Sequence, residues 1–405
     1  MRYFKLLTIT FIMLTLFSGY KAKAQLDNDN INSRYLLGQL EHGSRIIMTG
    51  VPILSIAPDS RSGAMGDVGA ATTPDGASIH WNAAKLAFME KDAGVSFTYT
   101  PWLREIVSDI SLLYLSGYYK IDERSALGVG LTYFSLGAII FTDGEGREIG
   151  SYNPSEFAID MAYAMKLSDK LSASVTGRYV RSDLTQGQSS GTTMTKAANA
   201  VGADISMYFQ DDINDVSQYA LGGSISNLGS KLSYTDEMNK SFLPANLRIG
   251  GRYTMEFDQF NKLSLMLDFN KLLVPTPPIY DLDTNGAPIY GQIFEGMDPN
   301  VGSLQGAIQS FYDAPAGFKE ELQEIMISFG MEYTYNQFFH LRGGYFYESA
   351  KKGDRKYVSL GGGFKYNVMS VDLAYLIPTS SNNHPLKNTL RLGLTFDLGG
   401  DNKKR

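Results

Sequence analysis

The sequence predicts an all-β fold, a transmembrane β-barrel of about fourteen antiparallel strands with an N-terminal plug segment. Three features carry that prediction. Apolar and polar residues alternate strictly along many segments, the connections between segments alternate between short and long, and an export signal opens the chain.

The alternation is clearest from Phe157 to Met165, F-A-I-D-M-A-Y-A-M, where every odd position is large and apolar and every even position small or acidic. A period of two gives a strand with one oily face and one wet face. Leu263, Leu265, Leu267 and Phe269 repeat the pattern against Lys262, Ser264, Met266 and Asp268. Many strands of this kind suit a cylinder with lipid outside and water inside.

The first 24 residues read as a signal peptide. Arg2 and Lys5 give a positive start, Leu6 to Phe17 an apolar run, and Ala22-Lys23-Ala24 a cleavage site before Gln25. The run is too short for a membrane-spanning helix, an uncleaved anchor being the alternative. No later segment offers about 20 apolar residues in a row, so helical anchorage after export is not expected. Export plus alternating strands points to the bacterial outer membrane, with both termini expected on the periplasmic side.

Composition agrees. Charged residues make up 19%, below the ~25% usual for soluble domains. A net charge of -6 with a pI near 5.4 leaves no footprint for nucleic acid. The absence of cysteine excludes disulfides and thiolate chemistry.

The barrel is assigned to residues 93–398, followed by a basic tail at 399–405. Short connections are expected at 120–124, 167–170, 211–217, 256–260, 335–338 and 366–368. Long ones are expected at 137–155, 182–196, 229–243, 271–320, 349–356 and 378–387; only the first outer connection, at 102–107, is brief. Short periplasmic turns and long external loops fit a membrane barrel. A soluble propeller or sandwich is the alternative, and it leaves that alternation unexplained. Residues 25–92, rich in Gly, Ala, Asp and Ser, are too long for a leader strand, and a barrel of this girth has room for them as a plug. The longest loop, 271–320, carries Pro275, Pro277 and Pro278 and then a predicted short helix from Gly302 to Tyr312. Loops beyond ~12–15 residues are usually functional or disordered.

Hairpin symmetry gives candidate contacts inside the barrel. Folding about Ser168-Asp169-Lys170 sets Asp160 opposite Arg178. Folding about Phe260 sets Arg252 opposite Asp268, and folding about Gln337 sets Glu332 opposite Arg342. Directly opposed residues come within side-chain reach, so these six predict lumen ion pairs that stiffen a hydrated wall. A one-residue slip would reverse the faces.

Catalytic chemistry has no candidate. His42, His80, His340 and His384 are scattered without metal-ligand spacing, and no G-x-S-x-G elbow occurs. Asp281 to Gly286 imitates the start of a calcium loop, but its twelfth position is Gln292 and Pro288 interrupts it; an Asn-Gly turn is the better reading. No enzyme activity, cofactor or metal is expected.

One stretch is more specific. P-D-S-R-S-G-A-M-G-D-V-G-A-A-T from Pro58 to Thr72, I-H-W-N-A-A-K-L-A from Ile79 to Ala87, and V-S-F-T-Y-T-P-W-L-R from Val95 resemble the PorV (LptO) family. These are type IX secretion system outer-membrane proteins of Bacteroidetes, within the wider FadL-like barrels. The resemblance covers essentially the mature chain. It departs at Ala83, where relatives usually carry proline, and in the tail from Gly399 to Arg405, which runs past Phe396.

The resemblance implies a non-enzymatic carrier in outer-membrane lipid. Such proteins bind the C-terminal signal domain of secreted cargo at the translocon barrel (SprA/Sov-like) and shuttle it to the surface attachment complex with the sortase-like PorU. In FadL-like transporters the N-terminal segment plugs the barrel, which implies plug contacts for Arg61, Asp67, Trp81 and Asn82. Cargo would meet the external loops, where Ile289, Tyr290, Phe294, Phe311 and Tyr312 supply the aromatic content of an interface. The alternative for those side chains is a lid over the barrel mouth. The alternative for the whole protein is a FadL-like channel for hydrophobic small molecules, with an apolar pocket and a gap in the wall or a moving plug.

Overall fold

The computed structural model describes residues 45–102, 109–142, 145–184, 189–190, 193–235, 240–283, 287–379 and 389–399. The signal peptide, His42, His384, the Asn285-Gly286 turn and the tail beyond Gly399 fall outside them, as does the expected periplasmic position of the N-terminus.

Fourteen antiparallel strands close into one barrel. They are β1 (Ala93–Pro101), β2 (Ser111–Lys120), β3 (Ser125–Ser135), β4 (Ser155–Lys166), β5 (Leu171–Asp183), β6 (Ala198–Asn214), β7 (Ser217–Gly229), β8 (Asn246–Glu256), β9 (Asn261–Leu272), β10 (Ile325–Tyr335), β11 (Phe339–Tyr347), β12 (Lys356–Tyr366), β13 (Met369–Pro378) and β14 (Leu390–Leu398). Each pairs with its sequence neighbours, and β14 closes the ring on β1 with Val95 opposite Phe396. Connections at one end are tight; the two residues 215–216 join β6 to β7. At the other end they are long, the longest being 273–324.

The wall is oily outside and polar inside. In β4, Ile159, Met161, Tyr163 and Met165 are exposed, while Ala158, Asp160, Ala162 and Ala164 are buried. Hydrocarbon offers no hydrogen bonds, so a spanning sheet must leave no edge, and a closed barrel has none.

Residues 45–92 thread the lumen from one end to the other. At the long-loop end the Arg45 amide donates to the Lys351 carbonyl and the Gly50 amide to the Phe242 carbonyl. At the tight-turn end the Asp92 carbonyl accepts from the Lys120 amide. Between them lie α1 (Ser60–Gly63), α2 (Ser78–Trp81) and a 3-10 segment, Ala83–Phe88. The Asp59 side chain caps α1 by accepting from the Ser62 amide at 2.8 Å. Ala64, Met65, Val68 and Ala70 are fully buried.

Inward-facing glycines make room for this segment. A Cβ at Gly222 would strike the Ala70 carbonyl, at Gly344 the Met65–Gly66 backbone, at Gly361 the Ala64 side chain and at Gly393 the Ser60 side chain. Glycine in a strand marks such close backbone approach. Gly343, one position from Gly344 and on the outer face, would meet only ordinary contacts, the nearest at 3.7 Å.

Gly344→Val is therefore expected to unseat the Met65–Gly66 stretch at a cost of about 1–3 kcal/mol. It should lower the apparent Tm and raise ion conductance in planar bilayers. Gly343→Val should change neither.

Candidate functional site

Two regions concentrate polar contacts: the seam between plug and wall, and the base of the long loop. At the seam, Arg61 donates from Nε to Glu332 Oε2 at 3.1 Å and from Nη2 to Glu332 Oε1 at 2.8 Å. Its Nη1 also reaches Asp75 Oδ2 at 2.7 Å and the Thr73 carbonyl at 3.1 Å. The left-handed Asp67 accepts from the Tyr357 hydroxyl on Oδ2 and from Arg248 Nη1 on its carbonyl. Trp81 Nε1 donates to Asp59 Oδ1 at 2.6 Å, and the Arg248 guanidinium lies 4.6 Å over the Trp81 ring. Asn82 Nδ2 donates to the Ala70 and Met207 carbonyls at 2.8 and 2.9 Å, while its Oδ1 accepts from the Ala84 amide. That last bond orders the turn even though Ala83 stands where proline would have stiffened it.

Inside the wall, Asp160 is directly opposite Arg178, and Arg178 Nε meets Asp160 Oδ1 at 2.6 Å. Arg178 also bridges to Asp204 on the next strand at 3.2 Å. Glu332 is directly opposite Arg342, at 2.7 Å, and so joins the wall to Arg61 of the plug. Arg342 continues to Asp372.

The third expected pair does not form. Arg252 is opposite Met266, and Asp268 is opposite Gly250. The β8–β9 turn centres on Gln259 and not Phe260, because Asp258 Oδ1 accepts from the Phe260 and Asn261 amides and tightens it. The two-residue shift keeps both side chains inside but changes their partners. Arg252 donates to Gln218 at 2.7 Å, and Asp268 Oδ2 accepts from the plug amides of Gly69 and Ala70 at 2.7 and 2.8 Å and from Arg248 at 3.3 Å. Asp59, Asp75, Asp204, Asn227, Arg248 and Asp372 were missed by sequence reasoning. For the strand residues, a charge on the wet face of an alternating segment is the available signal; for Asn227, at a bulge with left-handed backbone, there is none.

The long loop is built, not slack. Ile279–Leu282 pairs antiparallel with Pro288–Glu295 as a hairpin, followed by α3 (Ser303–Gln309) and α4 (Phe318–Gln323). The predicted helix is α3, shorter than Gly302 to Tyr312; the hairpin and α4 were not expected. Its base is a buried ionic knot. Lys271 meets Glu321 at 2.9 Å and also Glu324, Lys352 meets Glu320 and Glu324 at 2.7 Å each, and Arg45 pairs with Glu320. Tyr290 is 80% and Tyr312 61% exposed, Phe294 and Phe311 are exposed, and Ile289 is partly buried.

Two carboxyls in the loop are perturbed in opposite directions. Burial pushes Asp313 up to about 6, against the hydrogen bond from the Thr276 amide, with Glu321 and Glu324 adding to the rise. Burial also acts to raise Glu320, but Arg45, Lys352 and the Ala316 amide outweigh it and hold the carboxyl down at about 2. Stability from Glu320 is thus present above its unfolded pKa and lost only as pH falls through about 2. Stability from Asp313 is present below its unfolded value of 3.8 and lost as pH rises through about 6.

Two cavities flank the plug. One of about 60 Å³ lies towards the long loops, lined by Trp81, Arg178, Asn227, Asn246, Arg248 and Asn270 among others. The other, about 580 Å³, opens at the tight-turn end beside Arg61, Asp75, Glu332, Lys365 and Asp397. Among the described residues no group of acidic or histidine side chains could hold a metal ion.

A closed, oily-walled cylinder with an interlocked interior segment defines an outer-membrane β-barrel of the plugged kind. Type IX secretion system protein PorV is the family whose model matches, over residues 39–279, more than half of the chain. The chain belongs to the PorV family and is an outer-membrane component of type IX secretion. Its fold is similar to that of the Pseudomonas putida toluene transporter TodX, at 13% identity and a TM-score of 0.47 over 87% of this chain and 98% of that one. A TodX monoaromatic hydrocarbon channel deltaS2 mutant gives 12% identity and a TM-score of 0.50 over 84% and 98%. A Pseudomonas aeruginosa FadL homologue gives 10% and 0.43 over 87% and 99%. No curated protein matches the sequence.

Glu332→Gln should leave Arg61 and Arg342 sharing one neutral amide; breaking a buried pair costs about 3–5 kcal/mol, read as a lower unfolding midpoint in detergent. Asp313→Asn should abolish the weakening of the loop above pH 6. Limited proteolysis of wild-type protein is expected to cut the loop about tenfold faster at pH 8 than at pH 5, and the variant at similar rates.

Proposed function

We propose that this protein is a non-enzymatic carrier that binds the C-terminal signal domain of secreted cargo as it leaves the translocon barrel and delivers it to the attachment complex with the sortase-like subunit. The tight-turn end, where β14 finishes, faces the periplasm and the long loops face outward. Cargo meets the loop hairpin and the segment after α3, through Ile289, Tyr290, Phe294, Phe311 and Tyr312. Arg61, Asp67, Trp81 and Asn82 hold the plug, while the lumen ion pairs stiffen the wall.

The observation that carries this reading is a set of exposed aromatic side chains on a loop whose base is locked by buried ion pairs. Side chains held in place before binding lose little further entropy on docking, and aromatic anchors dominate interface energetics. A channel for apolar small molecules would need an apolar conduit. The cavity beneath the mouth is small and holds Arg178, Arg248 and Asn270, and the plug is tied to the wall through Asp268 and Glu332.

Deleting residues 281–312 should abolish capture of a cargo signal domain by the purified protein while the barrel still forms. Tyr290→Asp with Phe294→Asp should weaken capture by about tenfold or more, as loss of two interface anchors does. Loss of the barrel itself would instead make the loop a structural cover. Affinity purification from the native membrane should recover the translocon barrel or cargo; lipid alone would favour the channel.

A further inference from the structure

The oily outer face of the wall continues onto the loop. Ile249 of β8 and Phe269 of β9 are directly opposed and exposed. A strand returns to the same face every second residue. Two positions nearer the long-loop end, that face carries Leu247 opposite Lys271, with Ile325 of β10 opposite Lys271 in turn. There the loop covers it. Leu247 packs against Ala245, Leu273, Val274 and Ala307, the last from α3, and Lys271 is buried against Glu321 of α4 and Glu324. The α3–α4 part of the loop therefore covers the outer flank of these strand ends, while Glu320 and Ala307 also reach Arg45 and Ile47 at the entry of the plug segment.

Both helices are inside out. In α3, Gly306, Ala307 and Gln309 are buried, whereas Leu304 and Ile308 are exposed at 64% and 57%. In α4 the carboxylates of Glu320 and Glu321 turn inward to Arg45, Lys352 and Lys271, and Phe318 and Leu322 point out at 77% and 52%. A helix facing water buries its apolar side chains and shows its charges. Here the carboxylates are inside and the oil outside, the polarity of the barrel wall itself, with Lys319 the exposed charge of α4.

We infer that α3 and α4 form an interfacial membrane element, with Leu304, Ile308, Phe318 and Leu322 resting at the headgroup–acyl boundary of the leaflet at the long-loop end. The occupant is lipid because the patch extends the outward face that carries Ile249, Phe269 and, opposite Leu267, Phe329. The ionic knot has already paired the carboxylates on the inner side, and the exposed Lys319 has a stem long enough to keep its ammonium at the headgroups. Anchored in this way, the loop flanks β8 to β10 and leaves Tyr290 and Phe294 exposed on the hairpin side.

The chain has no cysteine, so single nitroxide labels can be placed cleanly. In full-length mature protein in phospholipid nanodiscs, Ile308→Cys and Phe318→Cys would carry the label, with Phe269→Cys as lipid reference and Glu295→Cys as water reference. The ratio of oxygen to nickel-chelate collisions is expected to be at least about threefold higher at 308 and 318 than at 295, as for apolar side chains at the interface. In the unsubstituted protein, a diazirine-bearing phospholipid should label the stretch 303–323. Water-like ratios at both sites, or no lipid labelling of that stretch, would overturn the inference. So would protection that appears only when cargo or another protein is added, since the face would then be a protein-docking surface.

Discussion

A backbone that crosses hydrocarbon must satisfy every amide and carbonyl within itself, and this requirement governs the whole molecule. It is met by closing β14 onto β1, which removes the last free edge. Strand geometry makes each strand two-faced, so side chains alternate between lipid and lumen except at a bulge such as the one beside Asn227. Polar groups are collected inside, where low polarity strengthens their mutual attraction and makes any that lack partners expensive.

The lumen meets that demand through shared carboxylates. Glu332 accepts from Arg61 of the plug and Arg342 of the wall, and Asp268 accepts from two plug amides and Arg248. Inward glycines at 222, 344, 361 and 393 bring the plug backbone close enough for these contacts. Charge pairing and close approach thus depend on each other. A bulkier wall would hold the plug away from its carboxylates, and an unpaired carboxylate would favour water over the plug.

The same inverted polarity reappears at the base of the long loop, where Glu320, Glu321 and Glu324 are folded inward onto Arg45, Lys271 and Lys352. A loop held by buried ion pairs behaves as part of the wall. It holds Tyr290, Phe294 and Tyr312 as exposed side chains on a fixed base.

Strand faces could be read directly from residues: F-A-I-D-M-A-Y-A-M in β4 is one face lipid and one face lumen from its spelling alone. Cross-strand partners could be read where the turn is short and its centre evident, as for Asp160 with Arg178 and Glu332 with Arg342. They could not be read at Arg252 and Asp268, because the Asp258 side chain moved the turn centre. The hairpin and α4 of the long loop were hidden for another reason. F-K-E-E-L-Q looks like an ordinary polar loop until the positions of Lys271 and Lys352 show where its carboxylates go. The sequence by itself determined the fold class, the strand faces and the family, since these rest on local periodicity and contiguous motifs. Only the tertiary structure decided which plug amides Asp268 receives and which way the loop turns its oil, because those contacts join residues 32 to 275 positions apart that local periodicity does not relate.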